Sequence, residues 1–226
     1  MPTQFQLIVF DLAGTTVHDN QDVARMLQLT LAEYDVNISL REAAHVMGIP
    51  KPVAIKLLLR HNHVNSDELA NAIHNRFTVR MQEFYRNDHT VTEKDGASFV
   101  FTELQKSGIK VAIDTGFDRA ITNALLDRMG WVKKGLVTAS VTSDEVPLGR
   151  PNADMIFRAM ELSGVTQANQ VVKVGDTASD LQEGIAAGCG LVVGITTGAY
   201  SKEELSQYPH HKLISHLTEL LPIIGI

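Results

Sequence analysis

The chain has 226 residues, enough for one large domain or for a core domain with a small insertion. Its 44% hydrophobic and 20% charged residues are ordinary for a globular protein, and its formal net charge of −6 argues against a nucleic-acid partner, which calls for a basic face. No apolar run reaches membrane length, and the single cysteine, Cys189, allows no disulfide within the chain. We therefore expect a cytoplasmic protein, monomeric or homodimeric, that binds neither nucleic acid nor membranes.

Short apolar runs rich in Val and Ile, most of them followed by glycine or turn residues, predict five buried parallel strands: 6–10, 109–114, 136–140, 171–175 and 191–195. Helical patterns separate the later strands, at 119–129, 152–162, 178–187 and 202–207. The tail, 211–224, adds a short strand or a closing helix. This alternation predicts an α/β fold with right-handed βαβ units, that is, a Rossmann-like parallel sheet core.

The segment 18–92 interrupts this alternation and contains no convincing strand. It reads as four helices, at 22–34, 40–47, 52–61 and 67–85. The second and fourth begin with capping patterns, Ser39 with Glu42 and Asn65 with Glu68. We predict a helical cap domain at 18–92, inserted into a catalytic core made of 1–17 and 93–226. Ligands of open α/β sheets bind beyond the carboxyl ends of the strands, so the insertion would cover the site as a lid.

Polar residues follow the predicted strands at the edge where parallel strands end together. They are Asp11 in FDLAGTT, Thr115 and Gly116 in IDTG, and Asp176 and Asp180 in GDTASD, with Arg150 of GRP in a loop just before a helix. Each has a simpler reading when taken singly: Asp176 as a helix cap, Thr115 as a turn residue and Arg150 as a solvated loop residue. The combination in this order is far more specific than any of its members.

This set of residues suits phosphoryl chemistry. Asp11 would attack phosphorus and form an aspartyl-phosphate, while a hard cation on Asp11 and Asp176 offsets the repulsion between carboxylate and phosphate. Asp180 would support the metal site from the first turn of the next helix. Thr115 and Arg150, with backbone amides, would hold the phosphoryl oxygens.

The motifs FDLAGTT, IDTG, GRP and GDTASD resemble those of the haloacid dehalogenase superfamily, and the resemblance covers nearly the whole chain. It implies a Rossmann-like core with a cap domain, Mg²⁺ as cofactor and a small phosphorylated or phosphonate substrate. It also implies that the backbone carbonyl of Ala13 ligates the metal. Common phosphatases of the superfamily carry a second Asp at this position, which protonates the leaving alkoxide.

The pattern D-x-A-G-T-T resembles the phosphonatase branch, which cleaves the P–C bond of phosphonoacetaldehyde. In that branch a cap lysine, in an M-G-x-x-K element, forms an imine with the aldehyde, so that a neutral enamine leaves. Here residues 47–51 read MGIPK, and the resemblance implies an imine-forming Lys51 with Gly48 beside the substrate. Pro52 would start the following helix, and the positive end of that helix, together with desolvation under the closed cap, predicts a lowered pKa for Lys51.

Three departures leave alternatives open. Ala54 and Phe117 stand where the branch has His and Tyr, and Gln21 lies near the place of a missing Cys. One alternative is a phosphatase or phosphomutase acting on a small phosphorylated metabolite, with Lys51 only binding substrate. Another is a non-catalytic regulator that binds a phosphorylated metabolite.

Overall fold

The structure is a computed structural model and describes residues 4–226. Six strands form one parallel sheet in the order β3-β2-β1-β4-β5-β6. Their bounds are β1 (Leu7–Phe10), β2 (Lys110–Thr115), β3 (Ala139–Thr142), β4 (Val171–Gly175), β5 (Leu191–Ile195) and β6 (Lys212–Ile214). The two central strands, β1 and β4, are buried along their whole length, as expected for a sheet covered on both faces. The predicted Rossmann-like parallel sheet is confirmed.

Four helices lie within residues 18–92: α1 (Asp22–Ala32), α2 (Leu40–Ala44), α3 (Lys51–His61) and α4 (Asp67–Asn87). The predicted capping box of α2 is present, with the Ser39 amide donating to Glu42 at 2.7 Å and the Glu42 amide donating to the Ser39 hydroxyl at 3.2 Å. The cap of α4 is Ser66 and not the predicted Asn65, because the Ser66 hydroxyl accepts from the Leu69 amide at 3.1 Å. We refer to residues 18–92 as the helical insertion.

The remaining helices flank the sheet: α5 (Ala97–Lys106), α6 (Arg119–Met129), α7 (Asp154–Ser163), α8 (Ala178–Ala186), α9 (Lys202–Leu205) and α10 (Leu220–Ile223). The helix α5 was not predicted, although Ala97, Val100, Phe101 and Leu104 form one buried face at helical spacing. The C-terminal tail contains both elements predicted as alternatives, β6 and α10.

The third strand begins three residues later than predicted, at Ala139. Leu136 and Val137 are apolar, but residues 136–138 lie outside the strand, and the Leu136 amide donates to the Trp131 carbonyl at 2.9 Å. Val137 is buried in the core all the same. An apolar run therefore marked burial correctly here, but it did not mark the start of the strand.

The insertion leaves and re-enters the core at a single place. Val17 pairs with Glu93 in an isolated antiparallel bridge, and the His18 amide donates to the Thr92 carbonyl at 3.0 Å. This pairing is consistent with domain boundaries after residue 17 and before residue 93, which stay predictions; residues 1–3 of the first core segment lie outside the described chain. No helix within residues 4–226 is long and apolar enough to span a bilayer.

Candidate active site

A small cavity lies between the carboxyl edge of the sheet and the helical insertion. From the core, the predicted residues Asp11, Ala13, Thr115, Gly116, Arg150 and Asp176 line it. The insertion contributes Gly48 and Lys51. Asp180, the remaining predicted residue, does not line the cavity. It is fully buried and pairs with Arg150. The structure therefore brings all the predicted residues to one place.

Three aspartates crowd together at the floor of the cavity. Asp11, Asp176 and Asp180 each offer a carboxylate oxygen, and these oxygens lie within 4.8 Å of one another. Burial, reinforced by the charges of Asp11 and Asp180, raises the pKa of Asp176 well above its ordinary value. A divalent cation would offset this accumulation of negative charge, and a set of buried carboxylate oxygens matches the ligand preference of Mg²⁺.

The glycine of FDLAGTT is required by the packing around Asp176. Gly14 has a positive φ of 93°, and a Cβ placed on it would lie 2.2 Å from the Oδ2 atom of Asp176. The following Thr15 donates its hydroxyl hydrogen to the Oδ1 atom of Asp176 at 2.9 Å. The turn after β1 therefore fixes the orientation of a carboxylate that follows β4.

Arg150 holds the proposed nucleophile in place. One guanidinium nitrogen lies 2.6 Å from Oδ1 of Asp11 and 2.9 Å from Oδ1 of Asp180. The other two nitrogens bind the Glu183 carboxylate at 3.0 Å and both the carboxylate and the carbonyl of Asp114. Burial raises the pKa of Asp11 to about 6, and the positive charge of Arg150 opposes this rise. Arg150 therefore positions Asp11; phosphate binding by Arg150 stays a prediction.

Three buried charged residues of this network were missed by the sequence analysis: Asp114, Lys173 and Glu183. The Lys173 ammonium lies 3.2 Å from Asp180 and 3.2 Å from Glu183, and it also binds Asp114. A signal for two of them was present, because Asp114 and Lys173 interrupt otherwise apolar strand runs. A charge at a fully buried strand position requires partners of opposite charge.

Thr115 and Gly116 form the end of β2 at the cavity wall. The Thr115 hydroxyl is nearly fully buried and accepts from the Phe117 amide at 3.2 Å. The Gly116 carbonyl accepts from the backbone amide of Lys51 at 3.3 Å, which ties the start of α3 to the core. Binding of phosphoryl oxygens by these two residues stays a prediction.

The approach of the insertion to the core depends on two glycines. Gly48 has a positive φ of 83°, and a Cβ there would lie 2.2 Å from the Thr177 hydroxyl oxygen. A Cβ on Gly116 would lie 2.9 Å from the carbonyl oxygen of Ile49. Side chains at either position would hold the MGIPK segment away from the sheet, so these glycines permit the closed cavity.

Lys51 places a primary amine in the cavity. Its side chain is only 4% exposed, and Nζ lies 5.3 Å from the ring centroid of Phe117. Within residues 4–226, Nζ forms neither a hydrogen bond nor an ion pair. Burial lowers the pKa of Lys51 to about 8, although the charges of Asp11 and Asp19 oppose that shift. Among residues 4–226, the site thus contains a buried amine that has the Phe117 ring beside it but no hydrogen-bonding or ion-pair partner.

Comparison with known proteins agrees with this architecture. The family model for haloacid dehalogenase-like hydrolases matches residues 8–194, and the chain belongs to that family. It is therefore an enzyme of the hydrolase class with a Rossmann-like core.

The curated relatives include phosphonoacetaldehyde hydrolases. That of Parabacteroides distasonis is 29% identical over 223 residues, covering 89% of this chain and 81% of the relative. That of Bacillus cereus is 30% identical over 237 residues, covering 98% and 87%. The crystal structure of a phosphonoacetaldehyde hydrolase-like protein from Oleispira antarctica has a TM-score of 0.86 at 21% identity, covering 99% and 92%, and shows likeness of fold. The predicted resemblance to the phosphonatase-like branch is confirmed.

Proposed function

We propose that the protein hydrolyses the P–C bond of a small carbonyl phosphonate of the phosphonoacetaldehyde type. The observation that carries this proposal is the unpaired, buried Lys51 amine in the same cavity as Asp11. An imine requires a neutral amine, and a pKa near 8 makes this form accessible close to neutral pH. The names of the curated relatives support the same substrate class.

Each step of the proposed reaction is carried out by a particular residue of the cavity or by water. The Lys51 amine condenses with the substrate carbonyl to give a protonated imine, and water leaves. The carboxylate of Asp11 then attacks phosphorus, and the P–C bond breaks as its electron pair moves into the protonated imine to give a neutral enamine that stays attached to Lys51. Water hydrolyses the aspartyl-phosphate, and protonation and hydrolysis of the enamine release the aldehyde and restore Lys51.

This chemistry explains why Ala13 can replace the usual acid. An alkoxide leaving group needs a proton, and a second carboxyl group would supply it. The enamine is already neutral when the P–C bond breaks, so it needs no proton at that step. The group at position 13 can therefore lack a side-chain acid without slowing P–C cleavage.

The three aspartates would hold Mg²⁺, with Asp11, Asp176 and the carbonyl of Ala13 as ligands and Asp180 in support. When bound, the cation would supply positive charge that offsets repulsion between the Asp11 carboxylate and the phosphonate. The phosphoryl oxygens would be bound and oriented by Thr115, Gly116 and Arg150.

Mg²⁺ is expected to stabilise the folded protein. At about 100 times its dissociation constant, the cation should raise the free energy of unfolding by about 2.7 kcal/mol relative to protein in EDTA. Asp176→Asn should lose most of this increase, whereas Asp127→Asn, an exposed aspartate on α6, should keep it. Thermal unfolding with and without Mg²⁺ measures this increase in stability for the parent and for the two variants. Identical unfolding of the parent in Mg²⁺ and in EDTA would contradict the metal assignment.

A direct test of the substrate class compares phosphonoacetaldehyde with glycolaldehyde phosphate, which differs by one oxygen between phosphorus and carbon. Our proposal expects faster phosphate release from the phosphonate. Preference for the ester would favour the alternative, a phosphatase or phosphomutase in which Lys51 only binds substrate. Ala54 and Phe117, in place of the branch's His and Tyr, are the observations that keep this alternative in the test.

Ala13→Asp should separate the two functions further. A carboxyl group at this position would act as the missing acid for an ester and could raise ester hydrolysis by up to about 10²-fold. It should not accelerate P–C cleavage, because no alkoxide leaves. Phosphate release from the two substrates, measured in parent and variant, gives the comparison, and faster P–C cleavage in the variant would contradict the proposed leaving group.

A further inference from the structure

We propose that Asp19 is a catalytic residue that transfers protons during formation of the Lys51 imine; this inference rests on the proposed function. Asp19 lies in the insertion, just before α1, and lines the same cavity as Lys51 and Asp11. Ala54, where the phosphonatase branch has a histidine, is a fully buried methyl group on α3 and cannot transfer protons. The reaction therefore needs another acid–base group near the amine.

The Asp19 carboxylate is fixed on one side and free on the other. Its Oδ1 atom accepts from the backbone amides of Asp22 at 2.7 Å and Val23 at 3.1 Å, which anchors it at the start of α1. Its Oδ2 atom has no hydrogen-bond partner among residues 4–226. One oxygen thus secures the geometry while the other can exchange a proton.

Four charged or titratable groups interact electrostatically with Asp19. Three lie in the insertion, Asp22 on α1, Lys51 on α3 and Tyr85 on α4, and the fourth, Lys94, lies in the core just after the insertion. Burial raises the pKa of Asp19, and the positive charge of Lys51 opposes the shift. A carboxyl group with a raised pKa is better suited to give a proton back after accepting it.

Two of these neighbours are occupied elsewhere. Lys94 donates to the carbonyl of Thr197 at 2.6 Å and to its hydroxyl at 2.9 Å. Asp22 binds Arg25 at 3.1 Å. Tyr85 stays neutral, because burial raises the pKa of its hydroxyl well above 10. Lys51 is thus the cationic neighbour of Asp19 that is free to react.

The proton transfers balance as follows. Asp19 takes a proton from the Lys51 ammonium, and the resulting amine adds to the carbonyl carbon. Asp19 returns the proton to the new alkoxide and takes another from the nitrogen, giving a neutral carbinolamine. It donates that proton to the hydroxyl group, which leaves as water. The products are the protonated imine, water and the Asp19 carboxylate, so the ammonium and the carbonyl compound are the reactants consumed.

Asp19→Asn tests this role with little change to the fold, because the asparagine Oδ1 can still accept from Asp22 and Val23. Removing the Asp19 charge also lowers the pKa of Lys51 further and increases the neutral amine fraction. That effect alone would speed imine formation. A lower rate of imine formation in the variant would therefore show the loss of proton transfer, because the change in the pKa of Lys51 acts in the opposite direction.

The measurement is the initial rate of borohydride-trapped adduct on Lys51 with phosphonoacetaldehyde. We expect Asp19→Asn to reduce this rate by about 10²-fold, a typical acid–base contribution, with an unchanged thermal midpoint. Asp127→Asn is the matched control, because it makes the same change at an exposed aspartate on α6 that does not line the cavity. It should trap at the parental rate. Equal rates in parent and Asp19→Asn would overturn this inference alone, whereas absence of adduct in the parent would overturn the proposed function with it.

Discussion

Asp11→Asn should lower turnover by about 10⁴-fold or more, the scale of loss when an enzyme's nucleophile is removed. A neutral amide attacks phosphorus poorly and is a weak ligand for a cation. The fold should survive, because the asparagine Oδ1 can still accept from Arg150 in place of the carboxylate oxygen 2.6 Å away. Phosphate release from phosphonoacetaldehyde measures the rate, and thermal unfolding checks the fold.

A second measurement on Asp11→Asn tests the formation of the aspartyl-phosphate. Beryllofluoride mimics an acyl-phosphate and should bind the parent at Asp11 but not Asp11→Asn. The exposed Asp127→Asn serves as control and should behave as the parent in both assays. Near-parental turnover in Asp11→Asn would show that the aspartyl-phosphate mechanism is wrong.

Lys51→Arg should strongly slow P–C cleavage while keeping the positive charge beside Phe117. A guanidinium stays protonated and forms no imine under these conditions, so the leaving group would be a carbanion. We expect a loss of about 10³-fold, equivalent to about 4 kcal/mol in activation free energy. Phosphate release from phosphonoacetaldehyde and from glycolaldehyde phosphate should diverge, because ester hydrolysis does not need the imine.

Lys56→Arg provides the matched control for this change. Lys56 lies on the same helix, α3, but is partly exposed and pairs with Asp67 at 2.7 Å. Its replacement should leave both rates close to the parent. A Lys51→Arg variant that cleaves the phosphonate as fast as the parent would assign Lys51 to substrate binding, as the phosphatase alternative does.

The sequence carried enough information for the sheet and the main site. Buried parallel strands are continuous apolar runs, and their shared edge follows from topology, so Asp11, Thr115 and Asp176 could be brought together without coordinates. The start of β3 could not be predicted in this way, because a buried apolar residue such as Val137 gives the same signal in the irregular segment before a strand as in the strand itself. The helix α5 was missed although its apolar spacing was present.

The burial of the charged residues and the partners they bind could not be predicted from the sequence. Arg150 alone reads as a solvated loop residue, yet in the structure its side chain is 1% exposed and engages four carboxylates. The burial of Lys51 likewise depends on how the insertion meets the core, through Gly48 against Thr177. Contacts between segments distant in the chain decide both cases, and local patterns do not encode them.

The most direct test of the central claim is borohydride trapping during turnover of phosphonoacetaldehyde, followed by peptide mass spectrometry. The account predicts one reduced adduct, on the peptide containing Pro50, Lys51 and Pro52. Its formation should rise with pH and level off above about 8, because the lowered pKa of Lys51 frees the neutral amine there, whereas an ordinary lysine would require pH above 10. Absence of an adduct at Lys51, with phosphate still released from the phosphonate, would contradict the imine mechanism.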